Sequence, residues 1–346
     1  MKTRKHKSTM PILLFLSALG PMSLNAEERI VASAGALKAI TELAQSADNG
    51  LEVKKYLFGE RENSVSLETH NGNLSNFPAD AEIQRVELIC GDEVNSLTMG
   101  KPWRHVRELS LRGKGITNLD FLQHLPNLTS LSLMSFELTS LDGLAHCVKL
   151  KELSLECAKL EELTLADIQL TTLKIARSGL KNLDGLEKTA GLAILQITAC
   201  LKLENIDAVA DAPLSDLSVL LTPVTSIDKL NFSFISVLNL SFNDKLASVQ
   251  SLKSLPAKIH SINLIRTPLR DFSALEGKNV TILDLPIDGP NAKAIHASIQ
   301  KMTVKQLGLQ LADKQLSSVL DVWRLQTPQN NVPFLVEQTH LFNRAF

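Results

Sequence analysis

Apolar residues recur along this chain in pairs separated by one position, and the pairs themselves recur at intervals of 20 to 24 residues, beginning at Val86, Leu109, Leu131, Leu153, Leu173, Leu195, Leu217, Leu238, Ile262, Leu283 and Leu307. Side chains two apart along an extended chain share a face, so each pair predicts a short strand with both members inward and the residue between them outward. Within one turn the pattern is Leu-x-x-Leu-x-Leu-x-x-(polar or small)-x-Leu-x-x-Leu, as in Leu128, Leu131, Leu133, Phe136, Leu138 and Leu141. The second half of a turn carries the phrases NLDFL, SLDGL, NLDGL and SIDKL. These place Asp120, Asp142, Asp184 and Asp228 at the start of a short helical turn, where a carboxylate is predicted to accept hydrogen bonds from free backbone N–H groups.

One such turn cannot bury its own leucines, whereas stacked turns bury them against each other. About eleven turns over residues 83–310, stacked at about 4.8 Å per strand, predict an α/β solenoid with a parallel sheet about 50 Å long. Its expected form is a curved right-handed horseshoe with strands on the concave face and short turns or 3-10 segments on the convex face. On these residues the chain resembles the leucine-rich-repeat family, in particular the short bacterial repeats of internalin-like proteins. That family places an asparagine three positions after the second strand leucine. Here those positions hold Ser178, Cys200, Thr222, Asn243 and Thr267, but Lys114, Phe136 and Ala158 in the earlier turns, which departs from the pattern.

Solenoid ends need covers. Residues 27–82 are expected to form a helical N-terminal cap, because Leu37, Ile40, Leu43 and Ala47 have helical spacing, with Ser33 as N-cap and Gly50 as the stop. Val65 and Leu67 add a candidate strand one repeat before Val86. Residues 311–346 are read as the C-terminal cap, with Leu316, Val319, Leu320 and Trp323 on one helical side. Residues 1–26 have the basic head, short apolar run and small-residue end of a secretory signal peptide, with cleavage expected after Ala26. The apolar run is about half the ~20 residues that a membrane span needs. The expected mature protein is therefore exported, periplasmic or secreted, and not inserted in a membrane.

Charge and chemistry narrow the function. With the leader's Lys2, Arg4, Lys5 and Lys7 removed, the 36 basic and 37 acidic residues leave a net charge of about −5, which offers no footprint for nucleic acid. No catalytic or phosphate-binding motif is present, so no enzyme activity and no cofactor is expected. His124 and His146 share a repeat position on the convex side, without a third metal ligand nearby. The four cysteines map to a convex core position (Cys147), the ladder (Cys200) and two outward positions three turns apart (Cys90 and Cys157), so no disulfide is expected.

The surface that remains is the concave one. Its middle column runs Glu87, Ser110, Ser132, Ser154, Lys174, Gln196, Ser218, Asn239, Asn263, Asp284 and Gly308, polar or small throughout. The flanking columns are polar in the early turns, with Glu108, Arg112, Glu152 and Glu156. In the later turns they are apolar, with Ile194, Leu220, Leu221, Val237, Phe242, Ile265, Ile282 and Ile287 bordered by Arg177 and Arg266. Apolar groups rimmed by charge mark an interaction surface. Ile194, Leu220, Leu221, Val237, Phe242, Ile265, Arg177 and Arg266 are the candidate partner-binding residues. One tyrosine and two tryptophans give little platform for sugar stacking, so the expected ligand is a protein or peptide. The sequence thus describes a non-catalytic exported recognition module. Its alternatives are a structural or self-associating envelope protein and, more remotely, an enzyme or secreted effector.

Overall fold

The computed structural model describes residues 35–43, 50–58, 63–165, 168–187, 189–287, 292–311 and 334–335. Among these residues fourteen strands form one sheet in strict sequence order. They are β1 (Leu51–Phe58), β2 (Asn63–Thr69), β3 (Arg85–Cys90), β4 (Glu108–Arg112), β5 (Ser130–Ser135), β6 (Glu152–Cys157), β7 (Thr172–Ala176), β8 (Ile194–Thr198), β9 (Asp216–Leu220), β10 (Val237–Asn239), β11 (Lys258–Asn263), β12 (Asn279–Ile287), β13 (Thr303–Leu311) and β14 (Phe334–Leu335). β1 runs antiparallel to β2, and every later pairing is parallel.

All eleven predicted anchors lie in one register, Val86 opposite Leu109, Leu109 opposite Leu131, and so on to Leu283 opposite Leu307. Val65 pairs with Val86, which makes β2 a further turn in the same frame. Anchors and the residues two beyond them, such as Leu131 with Leu133 or Leu217 with Val219, are buried in one continuous core. Burial of a leucine side chain is worth about 1.5–3 kcal/mol, so the repeated pairs supply the main stabilisation.

The turns opposite the strands close in short 3-10 helices, including Asp120–His124, Asp142–His146 and Asp207–Val209. The predicted capping role of the aspartates is corrected. Asp120 and Asp142 start these helices without accepting a cap hydrogen bond. Their own N–H groups, and those of Asp184 and Asp228, donate instead to the side chain two residues earlier, on Asn118, Ser140, Asn182 and Ser226. The acceptor must precede the turn to reach its first N–H, and these aspartates already lie inside it. Asp271 occupies that earlier position and does accept, from the Ser273 N–H at 2.8 Å.

Neighbouring turns are also tied by ion pairs such as Lys114 with Asp92 at 3.1 Å and Lys229 with Asp207 at 2.7 Å. These groups are exposed, and each pair contributes at most about 1 kcal/mol.

At the N-terminal end, helix α1 (35–43) buries Ala36, Ile40 and Leu43, while Leu37 stays 40% exposed and off the packed face. Ser33 and Ala47 lie outside the described residues. The region expected to be a helical cap also contains β1 and β2. Farther along, Phe77 and Trp103 pack in the core with ring centroids 4.0 Å apart. A second helix, α2 (Ala292–Gln300), fills the turn between β12 and β13 and buries Ala292, Ile295 and Ser298. Beyond β13 the described residues of the C-terminal region are those of β14, and Leu316, Val319, Leu320 and Trp323 lie outside them.

Candidate partner-binding face

Counting from each anchor as position zero, the residues at −1, +1 and +3 lie on the face of the sheet away from the core, because strand side chains alternate. The +1 residues pair in an unbroken column from Glu87 through Ser110, Ser132, Ser154, Lys174, Gln196, Ser218, Asn239, Asn263 and Asp284 to Gly308, as the sequence predicts. At its end the Asp284 carboxylate lies against Gly308, where a Cβ would come within 1.9 Å of Oδ1.

Position +4 divides the solenoid into two blocks. From β2 to β6 the alternation continues through +4, so Thr69, Cys90, Ser135 and Cys157 point into the core and are at most 5% exposed. Gly113 belongs to the same series, and a Cβ there would meet Cys90 Cβ at 3.0 Å and Ile116 Cγ1 at 2.7 Å. Ser135 Oγ donates to the Ile116 carbonyl at 2.7 Å and accepts from the Leu138 N–H, bridging two turns. The inward polar or small residue is thus one position earlier than the family pattern. This explains why Lys114, Phe136 and Ala158 stand where an asparagine was expected, and it corrects the outward placement of Cys90 and Cys157.

From β7 to β11 the backbone behaves differently. Arg177, Ala199, Leu221, Phe242 and Arg266, each at +4, have positive φ values of 46°, 55°, 53°, 62° and 55°. A left-handed residue at +4 turns its own side chain outward and the next one inward. Ser178, Cys200, Thr222, Asn243 and Thr267 are all buried at +5. Asn243 is the most fully bonded of them: Oδ1 accepts from the N–H and the hydroxyl of Thr222, while Nδ2 donates to the Val219 and Leu240 carbonyls at 2.7 and 2.8 Å. Left-handed backbone costs a non-glycine residue about 1–2 kcal/mol. Five consecutive turns bear it without using glycine, asparagine or aspartate.

The eight candidate residues therefore fall into three rows. Ile194 and Val237 are at −1, where Asp216 pairs between them and interrupts the apolar run. Leu220 and Ile265 are at +3, beside the left-handed row that holds Arg177, Leu221, Phe242 and Arg266. The six apolar members are half-buried, and both arginines are exposed. Backbone hydrogen bonds run through this edge, from Arg177 to Thr198, from Ala199 to Leu220 and from Phe242 to Ile265. Arg177 donates through Nε and Nη2 to Glu156 Oε1 at 2.8 and 2.6 Å. The Arg266 guanidinium lies 5.4 Å from the centre of the Phe242 ring. Ile287 is a correction: β12 stays extended through +4, so this side chain is core, at 1% exposure. Ala199 belongs to the row and was missed, because alanine carries no surface signal of its own.

Elsewhere the described residues offer little chemistry. All four cysteines are buried free thiols. Burial pushes the thiol of Cys90 up to about 12 and those of Cys147 and Cys157 up to about 11, so these three are not poised as nucleophiles. His124 and His146 each end a 3-10 helix on adjacent turns. Glu52 on β1, Glu68 on β2 and His70 just after β2 cluster together, but Lys54 already lies between the two carboxylates at 2.8 and 2.7 Å. No described helix is long and apolar enough to cross a membrane.

No protein-family model matches the chain, and no curated protein does. Among solved structures, the functional domain of InlJ from Listeria monocytogenes, described as including a cysteine ladder, is similar at 17% identity with a TM-score of 0.39. The match covers 63% of this chain and 53% of that one, so this chain spans about half the length of that relative. The internalin InlF from Listeria monocytogenes 4b F2365 is similar at 15% identity with a TM-score of 0.36, over 71% of this chain and 68% of the other. The strand register described above, with its buried leucine pairs and stacked turns, is that of a leucine-rich-repeat solenoid.

Proposed function

We propose that the protein is a non-catalytic recognition module that binds a protein or peptide on the open, concave face of its sheet. The observation that carries this reading is the left-handed row. Turns β7 to β11 hold Leu221 and Phe242 in a backbone conformation that bulky residues disfavour, and the result is apolar side chains displayed beside two exposed arginines. Burial of the +5 residues sets this conformation in all five turns, and the side chains it displays at +4 are left to meet a ligand. Buried thiols and a sequence without a catalytic motif support a binding role over an enzymatic one. The proposed domain plan is a signal peptide at 1–26, caps at 27–82 and 311–346, and the solenoid between them, in a protein exported to the periplasm or beyond.

The test is a crosslinking pull-down from the source cell envelope with the mature protein and with a Leu221→Glu/Phe242→Glu variant of unchanged unfolding midpoint. A partner captured by the first and lost by the second supports the reading, and identical capture by both overturns it. Self-association through the same face is the competing reading. It predicts a particle mass that grows with concentration and is reduced by the same variant.

A further inference from the structure

The left-handed row has a charge pattern as well as an apolar surface. Arg177 stands at one end and Arg266 at the other, with Ala199, Leu221 and Phe242 between them on successive turns. Four strand steps at about 4.8 Å separate the arginines by about 19 Å, the length of about six extended residues. Resting on the proposed function, we infer that this row takes an extended peptide segment whose apolar stretch is bounded by two acidic side chains about six positions apart.

Three observations converge on that occupant. The apolar strip is narrow: in the +3 row beside it Leu220 and Ile265 widen it by one side chain while Thr198 and Ser241 are polar, and beyond them lies the polar column Ser218, Asn239 and Asn263. A strip of that width fits one strand, whose backbone groups meet the amides and hydroxyl of the polar column; a helix about 10 Å across would overhang it. Both ends of the strip are guanidinium groups, which match carboxylates in geometry as well as charge. Each is held in place within the protein, Arg266 above the Phe242 ring and Arg177 by Glu156. Two of the five guanidinium N–H donors of Arg177 serve Glu156, and its side chain remains 66% exposed. Glu156 is the group with which a ligand carboxylate shares this arginine.

The experiment measures fluorescence polarisation of three labelled peptides with one Thr/Val/Leu segment between their end residues, which are Glu, Gln or Lys. The Glu-ended peptide is expected to bind at least about tenfold more tightly than the Gln-ended one, with a preference that shrinks as salt rises. Arg177→Glu/Arg266→Glu is expected to reverse the order in favour of the Lys-ended peptide. Arg177→Gln/Arg266→Gln abolishes the preference without reversing it, and serves if the doubly acidic variant unfolds. Equal binding of the Glu- and Gln-ended peptides overturns the acidic assignment while leaving an apolar recognition face standing. A Glu preference that survives both double variants overturns the placement at this row. No binding by any of the three overturns the inference, and the recognition reading falls with it only if Leu221→Glu/Phe242→Glu also leaves partner capture unchanged.

Discussion

The two blocks of this solenoid use the same anchors in the same register and yet treat position +4 in opposite ways. In β2 to β6 the strand stays extended, and the fifth residue is a small or polar core member such as Ser135 or Cys157. In β7 to β11 the backbone turns left-handed at the fifth residue, whose side chain is sent outward, and the sixth takes the inward place. The block boundary coincides with the shortest repeat, the 20 residues from Leu153 to Leu173. A one-residue shift in where the turn takes its small inward side chain therefore decides whether a whole row is core or surface.

The largest expected effect that breaks this comparison comes from one substitution made in both blocks. Ser135→Arg buries a charge and removes the bridge to Ile116, and it should destabilise by several kcal/mol or prevent folding. Leu221→Arg, at the same repeat position, should change stability by no more than about 1 kcal/mol. Urea unfolding of the two variants checks this, and similar losses would erase the distinction between blocks.

Asn243→Leu tests the inward +5 position. It strands the Thr222 N–H and the Val219 and Leu240 carbonyls, and should cost about 3 kcal/mol of stability, read from urea unfolding. Leu221→Asn sharpens the comparison from the other side. Asparagine accepts left-handed backbone more readily than leucine does, so stability should hold or rise by about 1 kcal/mol while partner capture falls. Loss of stability instead would mean that Leu221 serves packing.

The smallest effect concerns Asp271, whose carboxyl lies below its usual range because it accepts the Ser273 backbone N–H and then the side-chain hydrogen bond of the same serine. Its folded value is depressed, so its contribution is present above the unfolded carboxylate range near 3.8 and is lost as pH falls through the folded value. Asp271→Ala should lower stability by about 1 kcal/mol at neutral pH, and the difference from the parent should vanish in acid.

Much of the fold was legible in the leucines. An apolar pair two apart states its own strand face locally, and the repeat interval states which pairs are neighbours, so the register from Val86 to Leu307 followed without any long-range information. The candidate side chains were legible in part: all eight lie outside the core. Their division into three rows, the intervention of Asp216 and the burial of Ile287 were not. Helix α2 went unread because Ala292 and Ile295 fall within one repeat interval, where the leucine rhythm dominated. The shifted inward series was written in Thr69, Cys90, Gly113, Ser135 and Cys157, all small or polar at +4, but it is visible only once the family's expected position is set aside.

By itself, then, the sequence determined the stack: that the leucine pairs face inward, which pairs are neighbours, and which column lines the open face. The sign of φ at Arg177, Ala199, Leu221, Phe242 and Arg266 was decided by tertiary structure alone. None of these residues prefers left-handed backbone. Each adopts it because the turn can bury Ser178, Cys200, Thr222, Asn243 or Thr267 against its neighbours only if the preceding residue reverses the chain, and packing against adjacent turns outweighs a local cost of about 1–2 kcal/mol.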